Sequence, residues 1–212
     1  IAQMRSRDRE DFYEEKVVSN DRGDTMIQGI PMFTQGNTPF CGIHSLAMVG
    51  QYLGLRVKPE ALIAGADFKN TGSAGGSDIL GLYRSAAAEV GMRASVTSSF
   101  KADRVLRSLE EGLPVIVWRR VSMERENAHS KFLVSFEKDP SLTLPAPTPA
   151  LMETFPAKSS RGTPSHASVV TGMNMDRSEV IFTEPWGENT RNRRMRIEEM
   201  EATAYAVFFF KL

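Results

Sequence analysis

The sequence predicts an α+β fold, with a helical lobe in the first half packed on an antiparallel sheet in the second. Three observations predict it. Apolar residues recur at helical spacing between Cys41 and Gly91. After Gly112, short β-rich runs separated by turn residues take over. No internal repeat runs through either half, so the order of helices then strands stands as the main signal.

The elements follow in chain order. Residues 1–16 are dense in charge and read as an arm or as the solvated face of a short helix. Val17–Gln28 alternates around Asn20-Asp21-Arg22-Gly23, a turn-like cluster, which predicts a hairpin. From Cys41 to Leu53, the residues Ile43, Leu46, Ala47, Gly50 and Leu53 share one helical face. Pro39 lies just ahead and Gly54 closes the helix. A second helix is expected over about Lys58–Ala64. A third begins at Ser77, a good N-cap with Asp78 in the first turn, and ends at Gly91. Arg93–Thr97 reads as a strand, Ala102–Glu111 as an amphipathic helix, and Val115–Trp118 as a strand after the Gly112-Leu113-Pro114 break. Lys131–Phe136 is a further expected strand. Residues 139–165 hold six prolines and read as a long irregular insertion, of the kind usually functional or disordered. His166–Gly172 and Glu179–Thr183 are expected strands, Ile197–Ala202 a short helix and Tyr205–Lys211 a last strand. The organisation expected is a charged arm and hairpin over 1–29 and one domain over 30–212, with a helical lobe over about 38–111 and a sheet lobe over about 113–212.

Composition narrows the function. With 212 residues, 41% of them hydrophobic, the chain can bury a full core. Lys+Arg and Asp+Glu both number 26, so nothing advertises a polyanionic partner, and nucleic acid is set aside. No apolar run approaches the roughly 20 residues of a membrane helix. The chain opens on Ile1 rather than Met, which leans toward a processed, secreted or cell-envelope protein. A single cysteine excludes an internal disulfide and a thiolate zinc cluster. No phosphate-loop pattern is present, since Gly72, Gly75 and Gly76 fit neither glycine template. Gly75-Gly76 could offer backbone to a substrate or simply be a loop ahead of a helix.

The lone cysteine carries the chemistry. Cys41 opens a helix, where unpaired N–H groups and about half a positive charge favour a thiolate. Its own N–H can bind the oxyanion formed at an attacked carbonyl, and the side-chain amide of Gln35, in the preceding loop, can supply a second donor. Three histidines could serve as base. His44 would have to point back along its own helix and reads as locally packed or hydrogen-bonded. His129 reads as a surface residue in a polar loop. His166 starts a strand, and a hairpin centred on Met175 sets Glu184 directly opposite it on the same face. A carboxylate there fixes the imidazole tautomer, and Trp186 could roof the bond from water.

The string QGNTPFCGIHSLAMVGQYLG resembles the active-site segment of papain-like cysteine peptidases, and especially the bacterial C39-like branch that includes bacteriocin-processing peptidase domains. PSHASVVTGMN and VIFTEPWGE resemble that branch's histidine strand and its following acid segment, and GLPVIVW resembles the strand between. The resemblance spans roughly residues 30–212. It implies the papain-like fold, a thiolate–imidazolium pair, an acyl-enzyme and a peptide or protein substrate, with no cofactor and no metal. By position it carries over Gln35 as oxyanion donor, Cys41 as nucleophile, His166 as acid/base and Glu184 as orienter. The branch usually has Asp or Asn where this chain has Glu184, and its segment before the histidine is shorter. Other readings stay open: transamidation or isopeptide chemistry on the same site, or a silent peptide-binding or accessory domain. Arg191, Arg193, Arg194 and Arg196 read as a solvated face, and the eleven methionines as core filler.

Overall fold

The computed structural model of the chain describes residues 6–65 and 77–211, so the glycines at 72, 75 and 76 lie outside the described residues. The charged N-terminal segment forms helix α1 (Ser6–Glu14), whose Tyr13 is fully buried and packs on Tyr52 at 5.4 Å between ring centroids. Strands β1 (Val17–Ser19) and β2 (Thr25–Ile27) make the expected hairpin. Helices α2 (Cys41–Tyr52), α3 (Pro59–Gly65) and α4 (Ser77–Glu89) follow. Then come β3 (Arg93–Thr97), α5 (Ala102–Glu110), β4 (Val115–Arg120), α6 (Met123–Lys138) and the single turn α7 (Pro149–Met152). The chain closes with β5 (Ser165–Asn174), β6 (Glu179–Thr183), β7 (Arg193–Arg196), α8 (Ile197–Thr203) and β8 (Ala204–Lys211).

Among the described residues, eight strands form one antiparallel sheet in the order β1-β2-β5-β4-β8-β3, with β6 and β7 branching from β5. Strand β5 is its spine. One edge pairs with β4 over residues 165–170 and then with β2 at Gly172 and Met173, while β6 runs along the other. Gly172 lets this happen: a Cβ there would lie 2.7 Å from the Thr25 carbonyl oxygen. Helix α2 lies on the sheet with nearly all its residues buried, and Ser45 donates from its hydroxyl to the Ala167 carbonyl at 3.3 Å. Two bulges break the register, one at Thr171 between β5 and β6 and one between β4 and β8 at Trp118/Arg119. Among the described residues no helix is long and apolar enough to cross a membrane.

Four expectations need correction. The apolar run Lys131–Phe136 is helical, being the second half of α6. Ser122 caps that helix by accepting from the Arg125 N–H at 3.3 Å, Glu124 and Glu126 sit in its first turn, and His129 and Leu133 bury one face at helical spacing. His129 is therefore a core residue, 3% exposed, with Nε2 on Glu199 Oε1 at 2.9 Å. The arginine cluster is no solvated face either. Arg193 and Arg194 are buried on β7, while Arg191 and Arg196 are half-buried and paired with Glu188 and Glu198. Their partners Asp24, Glu126 and Glu179 are distant in sequence. Of the methionines, Met48, Met92, Met173, Met195 and Met200 do fill the core, but Met123, Met152 and Met175 are exposed.

Candidate active site

Helix α2 begins at Cys41 with Phe40 as its N-cap residue, and no side chain caps it. The N–H groups of its first turn are thus left for whatever enters there. Gly42 seats the helix start on Trp118: a Cβ at that position would lie 2.5 Å from the indole Cζ2. Cys41 is 9% exposed. The His166 side chain and the Ala167 backbone, at the start of β5, both act on its thiol to favour the charged form. Burial pushes the thiol up, but the His166 charge and hydrogen bond outweigh it and hold Cys41 below its ordinary value.

His166 is bonded through Nε2 to Glu184 Oε2 in a short contact, which leaves Nδ1 for the thiol. Burial opposes a charged ring, yet Glu184 and the sulfur lift His166 to about 10. Glu184 is fully buried, and His166 and Arg119 together overcome that burial and hold its carboxyl well below the usual carboxylate range. Both shifts run in the direction that favours a thiolate beside an imidazolium. Trp186 lies over the ring at 4.5 Å between centroids and 31° between planes.

The route by which Glu184 reaches His166 differs from the one read in the sequence. The observed pairs are Val169 with Thr183 and Val170 with Phe182, after which the bulge shifts the register to Gly172 with Ile181. Continuing from Val169–Thr183 sets Glu184 opposite Ser168, not His166. Ser168 indeed donates to both Glu184 oxygens, at 2.9 and 3.0 Å. The carboxylate must then reach His166 diagonally, a longer span than a directly opposed pair. The extra methylene of glutamate over aspartate provides that reach. Backbone bonds with Thr190 hold the residue in place: its N–H donates to the Thr190 carbonyl at 3.3 Å, and its carbonyl accepts from the Thr190 hydroxyl at 3.1 Å.

Gln35 sits in a tight turn that Gly36 permits with a φ of +59°. Its backbone N–H donates to the Pro185 carbonyl at 2.8 Å, tying this loop to the segment that follows Glu184. Its side-chain Nε2 donates to the Thr38 carbonyl at 2.7 Å, so in this conformation the amide serves the loop itself. His44 keeps Nδ1 on the Phe40 carbonyl at 2.8 Å, a local bond within the helix start. The proline-rich segment is anchored on the sheet and on α8. Its ends meet Arg22 and Glu179 at one limit and Arg120 at the other, and Lys158 donates to the Ala202 carbonyl of α8.

The sequence reading missed three residues around Glu184. Arg119, directly across from His166 on β4, donates from Nη2 to Glu184 Oε1 at 2.7 Å. It also donates from Nη1 to Glu126 at 2.6 Å, and Glu126 in turn accepts from Arg193 at 2.8 Å. The one signal available was the placement of two arginines directly after the buried run Val115–Trp118.

The comparisons agree with this architecture. The sequence profile of the Peptidase C39-like family matches residues 27–209. Among solved structures, a Bacillus anthracis protein described as a C39-like peptidase superposes with a TM-score of 0.55 at 17% identity, covering 89% of this chain and 98% of its own. The peptidase domain of Streptococcus ComA, a bifunctional ABC transporter of a quorum-sensing pathway, gives 0.52 at 15% identity, covering 86% and 98%. A double-glycine-motif protease from an AMS/PCAT transporter, solved with its leader peptide, gives 0.50 at 15% identity, covering 92% and 96%. No curated protein matches the chain by sequence. With most of its length inside one family profile and its fold shared with these peptidases, the chain belongs to the Peptidase C39-like family of papain-like cysteine peptidases.

Proposed function

We propose that the chain hydrolyses a peptide or related amide bond through a Cys41 acyl-enzyme. The observation that carries this reading is the coupling of the Cys41 thiol to His166, which is itself bonded to Glu184, at the uncapped start of α2. The thiolate attacks the substrate carbonyl carbon, and the carbonyl electron pair moves onto oxygen. The Cys41 N–H and one N–H of the Gln35 amide hold that oxyanion. His166 gives its Nδ1 proton to the leaving nitrogen as the C–N bond breaks, which leaves a thioester on Cys41. His166 then takes a proton from water, the hydroxide displaces the sulfur, and the acid product leaves with the thiolate–imidazolium pair restored. Glu184 holds the ring in its productive tautomer throughout.

The solved relative that carries a leader peptide supports a peptide or protein as the substrate class. A silent peptide-binding domain draws on one observation, the engagement of the Gln35 amide with Thr38. A peptide-library digest by wild type and Cys41→Ala, read by mass spectrometry, separates the two. Cleavage by wild type alone, with a thioester trapped on Cys41, is the expected outcome. Binding without any wild-type-specific product would overturn the proposal, and product joined to an added amine would redirect it to transamidation.

A further inference from the structure

We propose that Arg119 is the positioning residue of this site, fixing which oxygen of Glu184 faces His166. The inference rests on the reading that Glu184 orients His166.

Arg119 is 2% exposed on β4, paired across the sheet with His166. The β4–β8 bulge falls between Trp118 and Arg119, where such a break re-aims a side chain. Its guanidinium divides itself among three acceptors. Nη2 takes Glu184 Oε1 at 2.7 Å, Nε takes the Ser168 hydroxyl oxygen at 3.1 Å, and Nη1 takes Glu126 at 2.6 Å. Ser168 in turn donates a hydrogen bond to Glu184. With Oε1 held by Arg119, Oε2 is the oxygen left for His166. A glutamate reaching diagonally has one more rotatable bond than an aspartate would. Without the guanidinium it could turn either oxygen, or neither, toward the ring.

Burying an arginine inside a sheet is costly unless its charge is matched, and an apolar side chain would fill the space without that cost. Here the charges alternate from Cys41 to His166, Glu184, Arg119, Glu126 and Arg193, three of each sign when the thiolate pair is formed. The groups facing this line come from several elements: Cys41 on α2, Arg119 on β4, Glu126 and His129 on α6, Arg193 on β7, and behind His129 the buried Glu199 of α8 with its partner Arg125. The Tyr83 and Tyr205 hydroxyls also lie within the field of the sulfur.

Removing the Arg119 cation has a defined sign. The thiolate loses a nearby positive charge, so it forms at higher pH. The imidazolium loses a repulsive neighbour and gains a less neutralised Glu184, so it also persists to higher pH. Arg119→Met, checked for a retained fold by circular dichroism, is expected to move both limbs of the Cys41 iodoacetamide profile upward. It should also lower kcat about 10–100-fold at unchanged KM, by analogy with the loss of hydrogen-bond partners behind metal-ligating histidines. Arg119→Lys keeps the charge but not the three-way fork. Its limbs should stay in place while kcat, or the plateau alkylation rate, falls about tenfold. A folded Arg119→Met with wild-type limbs and rate overturns the proposal. If that variant does not fold, Arg119→Lys decides alone, and a wild-type rate in it is equally fatal. Alkylation needs no substrate. Absence of any turnover in wild type would therefore sink the peptidase reading, whereas unmoved limbs in the variant would sink only the role of Arg119.

Discussion

The two ends of strand β5 carry the same device put to different use. At the Asn174 end, Asp24 accepts both Nη groups of Arg194, at 2.9 and 2.7 Å. Arg194 also reaches Glu179 at 2.9 Å, Arg22 reaches Glu179 at 3.1 Å, and Asn174 donates to Asp24 at 2.9 Å. At the His166 end, Arg119, Arg193, Glu126 and Glu184 make a similar buried lattice. The first lattice is built from guanidinium, carboxylate and amide groups, with no imidazole or thiol among them. It can only staple the β1–β2 hairpin to β5, β6 and β7. The second lattice ends in an imidazole and a thiol whose ordinary values straddle neutrality, and the pair's mutual attraction, with Glu184 behind the imidazole, draws those two values past each other. Buried ion pairs alone do not make a site; one needs groups at the end of the line that can titrate.

Substitutions at the two ends should have different consequences. The largest effect is expected at Glu184→Gln, where an amide favours the wrong tautomer of His166. By analogy with triad carboxamide variants, kcat should fall by about 10⁴, measured on whichever peptide the library digest yields. Asp24→Ala comes next and should read out differently. It leaves Arg194 short of its main partner and should lower unfolding stability by about 3–5 kcal/mol in denaturant titration, with the Cys41 alkylation limbs unmoved. The pH dependence of that term has a clear sign. Burial raises the Asp24 carboxyl, but Arg194, Asn174 and Asn20 outweigh it and hold it at about 2. Its contribution is present above the unfolded value near 4 and is lost as pH falls toward 2. A shift in the Cys41 profile of Asp24→Ala would show that the two ends are not independent.

How much of this was legible in the sequence varies with range. Cys41 at a helix start followed from local signals, Pro39 before and Gly54 after, and the strands β5 and β6 from their β-rich runs. Proximity of His166 and Glu184 followed from the hairpin, but its register did not. The bulge at Thr171 is a tertiary accommodation beside the β2 contact at Gly172, with no mark in the local pattern. Lys131–Phe136 has strand composition, and only the Ser122 cap and the buried His129–Leu133 face reveal the helix. Burial of Arg193 and Arg194 depends on acids more than fifty positions away or across the hairpin turn, so composition read them as solvated.

Smaller effects probe the seat of the thiol. Gly42→Ala sets a methyl against Trp118, where the nearest ring carbon is 2.5 Å from the new Cβ. Overpacking of this kind costs about 1–3 kcal/mol, and it should also slow Cys41 alkylation by lifting the start of α2 away from His166. Trp186→Ala is the mildest. The ring is 36% exposed, and its loss removes an aromatic contact of about 0.5–1.5 kcal/mol. Water then reaches the His166–Glu184 bond, so the alkaline limb of the alkylation profile should move to lower pH.

The most direct test of the account is the rate of iodoacetamide reaction at Cys41 in the wild-type chain, mapped by mass spectrometry across the pH range. A preformed thiolate–imidazolium pair predicts fast alkylation well below the ordinary thiol value of about 8.5, with a second change near the His166 value of about 10. A single rise centred at or above about 8.5, or a thiol inert until the protein unfolds, would contradict it.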